Sequence, residues 1–322
     1  MPEREWLSGQ PVIDMHSHVF DVGYLPATLQ EATARAWAAR VPGRRAADVR
    51  DRLDANMSDP TAEHMLADMD DAGVDVSVGL VLDTSYGFPD EPAVSALEVM
   101  RHYSRLQVET EHRYLGFAGA DPRRPGATDI IRWALDDLDL RGVKLYPPHG
   151  YYASDRAALD ICGVASEKDV PVLFHTAVVG PPALSAFADP LHLAMVQRSF
   201  PDLTVIIGHA GFDVWARTVA RVAEGHDRTY LEISQWDSVA RSDPERCIRT
   251  IAMWRDIVGA HRILFGSDHI SGPGLSGPKS KLRHWVDFIR DLPRSGQALG
   301  ISFTSDEVDL ILGGNARRLL RL

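Results

Sequence analysis

The sequence predicts an α/β fold, a closed (β/α)8 TIM barrel with a long insertion after its first strand. Short β-rich runs alternate with longer helical stretches along the 322 residues, which is typical of parallel βα units. There are eight such runs, the number of strands in this barrel. Several are apolar throughout, such as Val205-Ile-Ile207, as expected for strands buried on both faces. Barrels of this length fold around one core, so we expect a single domain over residues 1–322.

The predicted strands follow one another in chain order. They cover residues 11–15, 74–81, 114–118, 142–146, 171–174, 203–208, 229–234 and 262–266. Between them, stretches 129–138 and 189–198 carry apolar residues at helical spacing. These helices should pack against the outside of the barrel.

Two connections are unusual. The first, from Phe20 to about Pro60, is the long insertion, and the second, 270–279, is rich in Gly and Pro and is therefore a loop. Both leave the C-terminal ends of strands, where barrel active sites form. Each is either part of an active site or a solvated insertion.

Composition limits the classes of partner. The formal net charge is -11 and no dense Lys/Arg run occurs, which argues against nucleic acid or an anionic membrane. No apolar stretch has the length of a signal peptide or a membrane span, so we expect a cytoplasmic protein that acts on a small molecule. Cys162 and Cys247 lie far apart in sequence, which predicts buried, inert thiols rather than a disulfide or a thiolate zinc site.

Polar, metal-competent side chains stand at the ends of four predicted strands. In a strand, His16 and His18 lie on one face, about 6.5 to 7 Å apart. The fifth strand leads to His175, the sixth to His209 and the eighth to Asp268. Each residue alone could be structural, but the C-terminal strand edges of a barrel converge on one mouth. The joint pattern therefore predicts a shared metal site.

Several motifs, taken together and in order, resemble the amidohydrolase superfamily. They are Asp14-Met-His-Ser-His18, Gly142-Val-Lys-Leu-Tyr-Pro147, Phe174-His175, Gly208-His-Ala-Gly211, Gly266-Ser-Asp268 and Gly314-Asn-Ala-Arg-Arg-Leu-Leu320. More narrowly, the chain resembles the amidohydrolase-related branch, which contains aminocarboxymuconate semialdehyde decarboxylase, resorcylate-type decarboxylases, hydratases and lactone hydrolases. The resemblance covers essentially the whole chain, but it does not specify a substrate.

The resemblance implies that His16, His18, His175 and Asp268 hold one divalent metal ion, Zn²⁺ or alternatively Mn²⁺. It places His209 beside that ion, near its bound water or a substrate oxygen. A mixed imidazole and carboxylate site with an open position suits catalytic zinc, which makes bound water a nucleophile. Asp268 would transfer protons and His209 would polarise a carbonyl, so these two are the predicted catalytic residues. Members of this branch often form dimers, which makes a homodimer an expectation.

Lys144, on the fourth strand, has three interpretations. In some superfamily members a lysine at this position is carboxylated and bridges two metals. Alternatively, Lys144 supplies positive charge to the substrate or forms a structural ion pair. A metal content close to two equivalents per chain would favour the bridging role.

Four further residues near strand ends are predicted to bind substrate: Tyr146, His149, Trp236 and His269. The alternative for each is ordinary packing. An arginine from the first long connection could also receive a substrate carboxylate. The sequence does not distinguish among the arginines at 35, 40, 44, 45, 50 and 52.

The leading functional hypothesis is a metal-dependent hydrolase acting on an amide, a lactone or a related ring. The alternative is a metal-dependent non-oxidative decarboxylase of a small aromatic or unsaturated carboxylic acid. A hydratase and a non-catalytic barrel are further alternatives. An arginine facing the metal would favour the decarboxylase, whereas a neutral pocket would favour hydrolysis.

Overall fold

The strands form a single parallel sheet that follows the order of the chain. In a computed structural model, which describes residues 9–322, nine strands lie in the order β8-β7-β6-β5-β4-β3-β2-β1-β9. They are β1 (Ile13–His18), β2 (Val76–Leu80), β3 (Tyr114–Gly119), β4 (Val143–Leu145), β5 (Val172–His175), β6 (Val205–Gly208), β7 (Thr229–Glu232), β8 (Ile263–Leu264) and β9 (His269–Ile270). Each of the eight predicted runs overlaps one of these strands, and the predicted barrel fold is confirmed.

The eighth barrel segment is interrupted and closes the sheet against β1. β8 pairs with β7, and β9, five residues further along the chain, pairs in parallel with β1. Between them, the amide of Met15 donates to the carbonyl of Phe265 (3.0 Å), and the amide of Asp268 donates to the carbonyl of His16 (2.7 Å). β8 and β9 are therefore two parts of one segment, and the break between them contains Asp268.

Helices surround the sheet. They are α1 (Ala27–Ala38), α2 (Ala46–Arg50), α3 (Leu53–Met57), α4 (Glu63–Ala72), α5 (Ala96–Glu109), α6 (Ala127–Asp136), α7 (Arg156–Glu167), α8 (Leu193–Ser199), α9 (Ala216–Glu224), α10 (Trp236–Ser242), α11 (Pro244–Val258), α12 (Leu282–Arg290), α13 (Leu292–Gln297), α14 (Ser305–Asp309) and α15 (Asn315–Leu320). The predicted helix at 189–198 begins later than expected, because Pro190–His192 forms a 3₁₀ turn capped by Asp189. Within residues 9–322, no helix combines the length and apolar character needed to span a membrane.

The apolar strands bury side chains on both faces. Inside the barrel, Met15, Val78, Phe117 and Ile206 belong to one interior cluster. Residues on the opposite strand faces, such as Val143, belong to the larger cluster beneath the helices. This two-sided burial explains why the strands are almost continuously hydrophobic.

The connection between β1 and β2 has a small core of its own. Seven buried apolar residues form it: Phe20, Leu25, Ala34, Ala38, Val49, Leu53 and Met57. Ile270, at the end of β9, and Leu275, from the loop that follows, pack against this cluster. The two unusual connections therefore contact each other, and neither is simply a solvated insertion.

An ion pair between a buried aspartate and a partly buried arginine joins the loops that follow β2 and β3. The guanidinium of Arg124 donates to both carboxylate oxygens of Asp83, at 2.7 and 2.8 Å, and the amides of Ser85 and Asp121 donate to the same carboxylate. Burial alone would raise the pKa of Asp83, but Arg124 and the amide donors outweigh it and lower that pKa. The stability that this carboxylate contributes is therefore complete above its unfolded pKa of about 4, and it is lost as pH falls through the lower folded value.

Arg124→Met should reduce the free energy of unfolding at pH 7 by about 3 kcal/mol, because it leaves the Asp83 carboxylate buried without its partner. Urea unfolding measures this loss. The control is Arg35→Met, which removes an exposed pair with Glu31 and should cost less than about 1 kcal/mol. The difference in the free energy of unfolding between Arg124→Met and the parent protein should decrease at acidic pH, because Asp83 becomes protonated. Equal losses for the two variants would contradict the expected role of this pair.

Candidate metal centre

The alternation of side chains along strand β1 is interrupted halfway along the strand. Ile13 and Met15 belong to the interior cluster, whereas the side chains of His16 and His18 approach Asp268. A regular strand would not place Met15 and His16 on the same side. The register of β1 against β2 shifts between Asp14 and Ser17, which permits the change of face. The buried Asp14 carboxylate accepts the amide of His16 at this irregularity.

Three donor atoms converge beyond this point. The Nε2 atoms of His16 and His18 lie 3.5 and 3.3 Å from Oδ1 of Asp268. Ligands of one tetrahedral zinc ion, at bond lengths of about 2.0 Å, lie about 3.3 Å apart. Two imidazoles and a carboxylate are also a donor set that suits zinc or manganese. The residues present therefore fit one divalent ion.

The opposite ring nitrogens orient both imidazoles. Nδ1–H of His16 donates to Oε2 of Glu232 (2.7 Å), and Nδ1–H of His18 donates to the carbonyl of Leu80 (3.1 Å). These bonds leave the Nε2 lone pairs directed at Asp268. Burial, assisted by the nearby Lys144 charge, lowers the pKa of His16 well below its usual range. His16 is therefore neutral, the form that binds a metal.

Three residues beside the site have left-handed backbone conformations without being glycine. The φ angles are 62° at His209, 66° at Gln235 and 52° at Asp268. Each costs about 1–3 kcal/mol, and such residues cluster at functional sites. Nε2 of Gln235 donates to Oδ2 of Asp268 (2.9 Å), so two of these strained positions hold each other.

His175 and His209 contact each other. Nε2–H of His175 donates to the carbonyl of Ala177 (3.2 Å), and Nε2–H of His209 donates to Nδ1 of His175 (2.8 Å). The hydroxyl of Ser234 in turn donates to Nδ1 of His209 (2.7 Å). Both nitrogens of His175 are thus engaged, and its ring would have to turn to join His16, His18 and Asp268 around one ion.

Lys144 lies inside the barrel as a buried cation. Its side chain is 2% exposed, and Nζ has no hydrogen-bond partner among the described residues. Burial lowers the pKa of Lys144, while the carboxylates of Asp268 and Glu232 oppose this effect. The ammonium lies 6.0 Å from the ring centroid of Tyr146.

The predicted substrate residues divide into two pairs. Tyr146 lies beside His175 and His149, with ring centroids 4.5 and 4.6 Å away, and the three rings form an aromatic wall. Burial lowers the pKa of His149 to about 4, so its ring is neutral. Tyr146 and His149 therefore lie next to the candidate centre.

Trp236 and His269 lie behind the site. The indole N–H of Trp236 donates to the carbonyl of His209 (2.9 Å), and the buried ring packs against Trp254. His269 follows Asp268 directly, so its side chain points away from the barrel interior, where Nε2 lies 2.7 Å from Oδ2 of Asp68 on α4. Both residues support the backbone of the site from outside.

The arginines of the first connection lie toward solvent. All six are exposed or half-buried, and within residues 9–322 none has a described hydrogen bond or ion pair with a candidate site residue. Arg35 and Arg45 pair with neighbouring carboxylates on their own segments.

Sequence reasoning missed Glu232. This carboxylate is completely buried at the end of β7 and bonds to His16. The available signal was its position, because a polar residue ends this strand as His175 ends β5.

Solved structures of other proteins share this architecture over nearly their whole length. A 2,6-dihydroxybenzoate decarboxylase from Rhizobium is 18% identical, with a TM-score of 0.66, and the match covers 97% of this chain and 99% of that one. A 5-carboxyvanillate decarboxylase from Sphingomonas paucimobilis is 16% identical (TM-score 0.66, coverage 98% and 100%). A manganese-containing dihydroxybenzoic acid decarboxylase from Polaromonas sp. JS666 is 16% identical (TM-score 0.64, coverage 98% and 98%). At sequence identities of 16–18%, this structural similarity establishes a shared fold.

A search of curated protein sequences finds no match. The family model described as amidohydrolase matches residues 13–322, nearly the whole chain. This match confirms the resemblance seen in the motifs. The chain therefore belongs to the amidohydrolase family.

Proposed function

We propose that the protein is a metal-dependent non-oxidative decarboxylase of a small aromatic or unsaturated carboxylic acid. The observation that carries the proposal is Lys144, a buried ammonium without a hydrogen-bond partner among the described residues. An isolated buried cation is unfavourable, and a bound carboxylate would supply the missing partner. A neutral lactone or amide would leave Lys144 unpaired.

The comparisons support this choice over the hydrolase that we first predicted. Proteins of the same architecture include decarboxylases of dihydroxybenzoate and carboxyvanillate. The wall of Tyr146, His149 and His175 also offers flat surfaces against which an aromatic ring could lie. Hydrolysis stays the second candidate, because the arginines of the first connection form no described contact with the donors.

The proposed reaction replaces a carbon–carbon bond with a carbon–hydrogen bond. The bond to the carboxylate breaks, its electron pair stays on the substrate carbon, carbon dioxide leaves, and that carbon takes up a proton. A divalent ion held by His16, His18 and Asp268, with His175 as the proposed fourth ligand, would supply Lewis-acid charge to the substrate oxygens. Zn²⁺ and Mn²⁺ both suit this donor set.

The chain's own residues divide the remaining tasks. Lys144 binds the substrate carboxylate, and the aromatic wall orients the ring. Asp268, a carboxylate at the opening between β8 and β9, takes a proton from water and delivers it to the substrate carbon. His209, fixed by Ser234 and His175, donates a hydrogen bond to a substrate oxygen once its ring is released from His175.

The test is to load the protein with Zn²⁺ or Mn²⁺ and offer it 2,6-dihydroxybenzoate, 5-carboxyvanillate, lactones and amides. We expect one carbon dioxide per acid consumed, about one metal per chain, and no turnover after chelation. Carbon dioxide release and acid release are followed together. Acid release without carbon dioxide would support hydrolysis instead, and turnover that survives chelation would contradict metal dependence.

A further inference from the structure

Glu232 is hydrogen-bonded to the imidazole of His16 and to the backbone of His209. Its side chain is completely buried, and Oε2 accepts Nδ1–H of His16 (2.7 Å) and the amide of His209 (3.1 Å). Oε2 also lies 3.0 Å from the hydroxyl oxygen of Ser234, whose proton is donated to His209. Oε1 accepts the amide of Ser234. One carboxylate thus joins strand β1, the turn after β6 and the end of β7.

Strand eight leaves space for this carboxylate. A Cβ atom on Gly266 would lie 1.9 Å from Oε1 of Glu232 and 2.6 Å from its carboxyl carbon. Gly266 follows directly after the buried Phe265, two residues before Asp268. The absence of a side chain at position 266 is therefore what lets Glu232 reach His16.

We propose that Glu232 is the residue that positions His16 for metal binding. The inference rests on the proposed metal site and is independent of the reaction catalysed there. A neutral imidazole carries one N–H, so the bond from Nδ1 to Glu232 fixes the tautomer and leaves the Nε2 lone pair for the ion. Without this acceptor, the proton of His16 could occupy Nε2 and the ring could turn.

Glu232 could alternatively be a metal ligand, because its carboxylate, His16 and His209 also bring donor atoms within 4.8 Å of one another. Its hydrogen bonds argue against this role. Three N–H groups already occupy the two oxygens, and His16, His209 and Glu232 are all buried. Asp268, by contrast, is 20% exposed at its side chain, so the group that contains it is open on one side.

The test uses Glu232→Gln and measures the affinity for Zn²⁺ alone by competition with a chromophoric chelator, without substrate. Loss of a carboxylate behind a ligating histidine weakens metal binding about 10- to 100-fold, and we expect a change of this size. The matched control is Asp59→Asn, another buried carboxylate, which among the residues that the structure describes accepts the amides of His64 and Met65 at the start of α4 and no others. Its Kd for zinc should not change.

Two further variants separate positioning from general loss of structure. Gly266→Ala keeps Glu232 but displaces its carboxylate, so it should also weaken zinc binding at least tenfold. Ser234→Ala removes a hydroxyl that is bonded to His209 and lies 3.0 Å from Oε2 of Glu232 and 3.2 Å from Nδ1 of His16. It keeps the shorter 2.7 Å bond between His16 and Glu232, so its Kd for zinc should change less than about threefold. Thermal unfolding of the metal-free proteins identifies any variant whose loss of zinc affinity is caused by misfolding.

An unchanged Kd for zinc in folded Glu232→Gln would overturn the proposal. A loss of zinc affinity in Ser234→Ala as large as that in Glu232→Gln would also overturn it. A fall from two zinc ions per chain to one would also overturn it, because Glu232 would then be a ligand. The proposed decarboxylase function fails by a different result. If Glu232→Gln weakens zinc binding but the loaded parent protein releases no carbon dioxide, the positioning role stands and only the reaction is wrong.

Discussion

Asp268→Asn is expected to lower kcat for decarboxylation about 10³-fold, within the range that general acid–base catalysis contributes. The amide cannot carry the proton that the substrate carbon takes up, and it weakens the charge that faces His16 and His18. Folding should persist, because asparagine tolerates the left-handed conformation at this position (φ 52°) and keeps an oxygen for Gln235. The measurement is carbon dioxide release at saturating metal and substrate.

Asp59→Asn again serves as the control, since it makes the same chemical change at a buried site that caps α4. Its kcat should equal that of the parent protein. Metal content is determined for each sample, so that a lost proton carrier is distinguished from a lost ion. A kcat for metal-loaded Asp268→Asn within tenfold of the parent value would remove Asp268 from proton transfer.

Lys144→Met is expected to lower kcat/KM for the carboxylate substrate about 10²-fold. Truncating one partner of a buried charge pair costs about 2–5 kcal/mol, and each 1.4 kcal/mol is a factor of ten. Methionine has a similar length and fits an apolar interior, so the change removes mainly the charge. Steady-state rates over a range of substrate concentrations should show that most of the loss lies in KM.

The control for this variant is Lys168→Met, which removes an ammonium from a solvent-facing pair with Asp136. Its kcat/KM should stay within about twofold of the parent. Metal analysis of Lys144→Met is informative in its own right. A fall from two ions to one would show that Lys144 bridges metals, and an unchanged kcat/KM would show that the substrate carboxylate binds elsewhere.

The barrel was predictable because its signals are local. Each strand is an apolar run ended by glycine, proline or a polar residue, and chain order alone sets the order of the strands in the sheet. The convergence of His16, His18 and Asp268 followed from the same logic. What the sequence did not reveal is the break in the eighth segment, because His269 and Ile270 pair with β1 after a strained turn that has no simple sequence pattern.

The residues around the centre were less predictable, because their roles depend on side-chain direction. Alternation along a strand places the side chains of Asp268 and His269 on opposite faces. The prediction that His269 binds substrate rested instead on its position directly after Asp268. The contact of His175 with His209 depends on a carbonyl at Ala177 and a hydroxyl at Ser234, neither of which any motif marks. Glu232 was overlooked because a single carboxylate has no characteristic spacing, although its place at a strand end was visible.

The close approach of Gly266 to Glu232 also constrains how sequences of this kind can evolve. A side chain at position 266 overlaps the carboxylate as long as Glu232 is present, and shortening Glu232 first leaves the buried N–H groups of His16, His209 and Ser234 without their acceptor. Either substitution alone is therefore costly. We expect positions 232 and 266 to change together or not at all in sequences that keep this centre.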